Sequence, residues 1–110
     1  MATPQLLTFF KPFTTDAHGT IFLSGIVDIK DYRQADLEII QFPGNVPNLT
    51  VNVQMGKISG TTLAQTVGTF PLGTVAVIHT FNVVAPEMAV IVGGGPANTV
   101  VNIQAWLFLH

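Results

Sequence analysis

Residues 49–55 read Leu-Thr-Val-Asn-Val-Gln-Met, a strict alternation of apolar and polar side chains. In an extended strand this puts Leu49, Val51, Val53 and Met55 on one face and Thr50, Asn52 and Gln54 on the other. Wound into a helix, the same residues would scatter their apolar groups around the circumference. The pattern requires a sheet with one buried face. The last segment repeats it: Val101, Ile103, Ala105, Leu107 and Leu109 form a core face, and Val100, Asn102, Gln104, Trp106 and Phe108 an opposite one. Helical periodicity is almost absent elsewhere, and Gly or Pro recurs at roughly the 8–12-residue spacing of a sandwich or barrel.

Further strands are expected at "LLTFF" near the N-terminus, at residues 20–30 with a bulge or a close approach of another backbone at Gly25, and at "ADLEIIQF" before the turn-rich "PGNVPN". A turn follows at "GKISGTT", then a weaker strand at "LAQTVGTF", a long one over "VAVIHTFNVV" and a short one at "MAVIV". "GGGPAN" reads as a mobile hairpin loop before the final strand. About eight strands predict an all-β, antiparallel, jelly-roll-like β-sandwich. One domain over residues 1–110 suffices, since a chain of this length buries a core without staples, and there is no cysteine to supply one.

Charge is distributed unevenly. Residues 28–38, "DIKDYRQADLE", hold six of the ten charged side chains, and from Ile39 onward only Lys57 and Glu87 follow. Four basic residues and a net charge of −2 exclude a phosphate-tracking nucleic-acid surface and attraction to anionic membranes. Mean hydropathy is +0.52, yet no apolar run reaches the roughly 18 residues of a membrane helix, so membrane insertion is not expected. The start "MATPQLLTFFKPF" lacks the basic region and cleavage site of a signal peptide, and Met1 favours a chain not exported by that route. An extracellular, cell-surface or particle-associated setting suits the composition. Only 9% of residues are charged, against about 25% in typical domains. The surface is then either Thr, Asn and Gln (thirteen residues are Thr) or buried against other subunits.

Chemistry-bearing motifs are weak. "GGGP" has no helix after it to form a phosphate cradle. His18 lies near Asp16, but only Ser24 and Ser59 offer a hydroxyl of the serine type and neither sits in a nucleophile elbow; an Asx-turn with Gly19 at positive φ is the simpler reading. His79 shares a strand face with Val75, Val77, Phe81 and Val83 and reads as packed. The three histidines are far apart, which disfavours a metal site, and Asp28, Asp31, Asp36 and Glu38 lack the spacing of a calcium loop. No catalytic residue, metal or cofactor is expected.

Two interaction readings survive. Asp28, Asp31, Tyr32, Arg33 and Trp106 could bind sugar hydroxyls; without a ligand, residues 28–38 are a solvated loop. Leu6, Phe9, Phe10 and Phe13 in the N-terminal segment, with Trp106 and Phe108, are interface candidates, because interface centres are rich in aromatics and poor in charge. Residues 1–13 must dock, on their own sandwich or by strand exchange on a neighbour's. The leading expectation is a non-catalytic, self-assembling structural subunit that forms a homo-oligomer, with the charged ribbon left in water. The rival is a lectin-like carbohydrate-binding module with glycan partners.

Overall fold

The computed structural model describes residues 3–58 and 63–110, with Leu63 described by its backbone alone. The strands are β1 (Gln5–Thr14), β2 (Ile21–Phe22), β3 (Val27–Asp28), β4 (Gln34–Gln41), β5 (Thr50–Lys57), β6 (Leu63–Pro71), β7 (Ile78–Asn82), β8 (Glu87–Gly93) and β9 (Val100–Leu109). A front sheet has the order β1-β9-β4-β7, and a back sheet has the order β2-β8-β5-β6, with β3 also on β8. All pairings are antiparallel. With β2 and β3 counted as two halves of one strand, this is the jelly roll: eight strand positions, the first beside the last.

The alternation in the sequence builds the core. Ala35, Leu37 and Ile39 of β4 and Val101, Ile103, Ala105, Leu107 and Leu109 of β9 point inward from the front sheet. Val51, Val53 and Met55 of β5 and Met88, Val90 and Val92 of β8 meet them from the back. Each fully buried aliphatic side chain contributes about 1.5–3 kcal/mol relative to exposure, so these rows supply most of the stabilisation.

Five expectations are corrected. Residues 20–30 do not form one strand. The chain departs from β8 after β2 and rejoins it at β3, with Gly25 at φ +63° between them. Leu23 N–H still donates to the Val90 carbonyl, and Val90 N–H donates to the Ser24 hydroxyl, which stands in for a backbone acceptor at the break. The long strand expected at "VAVIHTFNVV" shrinks to β7. Val75 and Val77 are exposed in the preceding connection, where Gly73 accepts the Gln41 N–H and so ends the β4 ladder. The short strand at "MAVIV" lengthens to the seven residues of β8. "GGGPAN" is no hairpin loop, because it crosses from β8 in the back sheet to β9 in the front. The turn expected over "GKISGTT" is partly taken up by β5, which runs to Lys57; residues 59–62, Ser59 included, lie outside the described residues.

The crossing loop is pinned to residues 15–20. Thr15, buried, donates its hydroxyl to the Pro96 carbonyl at 2.6 Å and accepts the Thr99 N–H at 2.8 Å. Asp16 accepts the His18 and Thr20 N–H groups on its carboxylate, the expected Asx-turn, and Gly19 sits at φ +75°. A β-carbon at Gly19 would overlap the Gly95 carbonyl oxygen. Buried Gln41 plays the same role at the other connection. Its amide donates to the Val46 and Leu72 carbonyls and accepts the Val46 N–H.

Urea unfolding should therefore separate two glycines of similar φ. Gly19→Ala should cost about 2–4 kcal/mol, because backbone must move. Gly25→Ala, with open space around its β-carbon, should cost only about 1–2 kcal/mol. Equal losses would show that the Gly19–Gly95 contact is unimportant. Gln41→Leu fills similar space but orphans three backbone groups, so it should cost about 2–4 kcal/mol in the same assay.

Candidate functional site

The outer face of the front sheet is assembled by strand register. Leu6, Phe108, Asp36 and Thr80 lie in one row across β1, β9, β4 and β7. Thr8, Trp106, Glu38 and Ile78 form the next, and Phe10, Gln104 and Ile40 the third. Leu6, Phe10 and Ile78 are more than half exposed, while Trp106 and Phe108 are half-buried. At the far end Phe10, Phe42, Pro43 and Asn102 border a shallow cleft of about 280 Å³.

Two carboxylates sit in this apolar face, and both are engaged by their neighbours. Trp106 donates its indole N–H to Glu38 Oε1 at 2.8 Å. The Nε2 of His110 lies 2.8 Å from Asp36 Oδ2, Gln34 donates its amide to Asp36 Oδ1, and the His110 ring stacks on Phe108 at 4.8 Å. Partial burial opposes the charged form of Asp36. Hydrogen bonds from Gln34, His110 and Thr80, with the attraction of His110, outweigh it and hold the carboxyl below its ordinary value.

This arrangement separates the candidate residues. The charged ribbon does not stay in water as a unit: Asp36 and Glu38 belong to β4 and face outward in the sheet. Asp28 pairs with Lys30 at 3.6 Å at the exposed end of β3, and Asp31 and Arg33 are exposed on the turn. Tyr32 packs on the core and donates its hydroxyl to Gln5. Trp106 is beside Glu38, five residues from Arg33 along the strand, which is roughly 17 Å at 3.4 Å per residue. The sugar-binding set is therefore not one site, and the four acidic residues do not converge.

The interface set divides by face. Residues 5–14 dock on the chain's own β9 as β1. Leu6 and Phe10 point outward, while Phe9 and Phe13 pack against the chain's own core. His79 faces inward and stacks on Phe70 at 3.6 Å, beside a cleft of about 400 Å³ that Ile39, Val75 and Val77 help to line. Among the described residues, no three metal-ligating side chains converge.

Sequence reasoning missed the Asp36–His110 and Glu38–Trp106 pairs. Period two already put Asp36 and Glu38 opposite Leu37 and Ile39, but the cross-strand partner is a matter of register. The sign of the resulting pH dependence follows from the lowered Asp36 value. Its contribution is fully present above the ordinary carboxylate pKa, about 4, and is lost as pH falls through the lower folded value. Between about pH 5 and about pH 2, wild-type protein should lose more unfolding free energy than Asp36→Asn. Equal losses in urea titrations would show that Asp36 is not linked to folding.

No family model matches the chain, and no curated protein matches it. Among solved structures, it is similar to a protein of the Bacillus endospore appendages, described as a family of disulfide-linked pili. The TM-score is 0.60 at 16% identity, over 97% of this chain and 88% of that one. A second likeness, to a chain of infectious bursal disease virus strain Gx, has a TM-score of 0.49 at 16% identity and covers 98% of this chain and 32% of that one. The likeness to the appendage protein is one of fold: this chain is an all-β sandwich of that architecture.

Proposed function

We propose that the protein is a non-catalytic structural subunit that assembles with copies of itself, and that the outer face of the front sheet is an assembly surface. The observation that carries this reading is the state of that face. It exposes Leu6, Phe10 and Ile78, and its two carboxylates already have hydrogen-bond partners within the subunit. Burying a free carboxylate in an interface is costly, whereas one with its partners in place needs no new ones from the neighbour. Of the remaining charges of residues 28–38, Arg33 lies on the turn directly before β4, at the margin of this face, where interfaces are polar. The fold likeness to an appendage protein is compatible with this role. These 110 residues contain no cysteine, so no disulfide joins copies through them.

Light scattering behind a sizing column should give a defined multiple of 11.8 kDa, or a polymer. Phe10→Lys, at an exposed position, should weaken self-association by at least about tenfold. Arg33→Ser at the rim should leave it within about threefold. A native mass near 11.8 kDa at all concentrations would overturn the proposal and direct attention to glycan binding at Trp106.

A further inference from the structure

The margins of the two sheets are not equally protected. An edge strand presents unpaired N–H and C=O groups to any other strand, and proteins blunt such edges with breaks, prolines, charges or shortness. On one margin the back-sheet edge is broken into the two-residue pieces β2 and β3. Beside it, β1 carries Lys11 and Pro12 in its second half, with the Lys11 ammonium 5.0 Å from the Phe13 ring centroid. The first half of β1, residues 5–10, has no charge and no proline. On the other margin, Phe70 on β6 stacks with His79 on β7, so these two edges lie together. Strand β7 has only five residues. Strand β6 has nine, with no charge and its single proline at the last position; a bulge at Val67 divides it into two regularly paired stretches, 63–66 and 68–71.

Two long, uncharged edges therefore remain, β6 and the first half of β1, at opposite margins of the molecule and in different sheets. We infer that a second copy of this chain pairs the first half of its β1 with β6, joining its front sheet to the back sheet of its neighbour. The inference rests on the assembly reading above and specifies the contact. Because the two edges differ, the pairing is head-to-tail. Each added copy offers a new free edge, so copies add on until the rotation between neighbours closes a ring, or as an open chain where it does not close. The joined sheet would run β7-β4-β9-β1 and then β6-β5-β8-β2. Leu6 and Phe10, exposed beside the joint, would gain cover from the neighbour.

The absence of cysteine makes the test clean. Thr8 on β1 and Thr66 on β6 are exposed, and each is replaced singly by Cys in separate preparations. A flexible bismaleimide then bridges thiols on adjacent strands. The expected result is a covalent dimer when Thr8→Cys and Thr66→Cys copies are mixed, with none from either preparation alone. A chain carrying both substitutions should give a ladder. Leu6→Cys and Gln65→Cys, on the same strands and also exposed, replace either threonine variant that fails to fold. Particles that persist on the sizing column without mixture-specific cross-linking would overturn the edge pairing and leave the assembly reading intact. Cross-linking within one preparation would overturn it in favour of a two-fold contact. A monomer would remove both.

Discussion

The pairing of β9 with β1 on one side and β4 on the other is the contact on which the other features depend. Ten residues of β9 are matched to β1, and seven to β4. The inward side chains of β9 fill the core, and its outward ones form the central column of the candidate face. Because the residues are alternate, the two roles are locked together. A slip of one position would bury Trp106 and expose Leu107. The core thus fixes the register, and the register places Trp106 beside Glu38 and Phe108 beside Asp36.

The surface treatment of charge follows from the same constraint. In β4, Leu37 and Ile39 must face inward, so Asp36 and Glu38 must face outward, into a face that β1 and β9 make apolar. A carboxylate among aromatic rings is poorly solvated unless it is hydrogen-bonded. The indole of Trp106 and the imidazole of His110 provide those bonds while extending the apolar surface. An uneven charge distribution in the sequence thereby becomes a face with little unsatisfied polarity.

The core and the sheet class were legible because burial imposes a period of two on β4, β5 and β9 directly. The Asx-turn at Asp16 was legible because it is local. Strand ends were less so. Val75 and Val77 look like strand residues, but the β4–β7 ladder stops at the Glu38–Ile78 pair although β4 runs on to Gln41, whose N–H goes to Gly73 instead, and the apolar run spills into a connection. The break at Ser24 and Gly25 depends on a hydroxyl replacing a carbonyl opposite Val90, which periodicity cannot reveal. The N-terminal aromatics read as one docking group, yet alternation sends Phe9 and Phe13 to the core and Leu6 and Phe10 to the surface. Leu6, Phe10, Trp106 and Phe108 of the candidate face were named from the sequence, whereas Asp36, Glu38 and Ile78 join it only once β4 and β7 are ordered beside β9.

The match of Gln5 with Leu109 brings the two ends of the fold side by side at one end of the front sheet. A peptide fused before residue 5 and one fused after residue 109 would leave the sandwich at the same place. A short linker between them would make the backbone circular, and a new opening could be cut in an exposed connection such as residues 43–45 without crossing a strand. The jelly roll's closing strand pair thus makes the fold nearly indifferent to where its polypeptide begins.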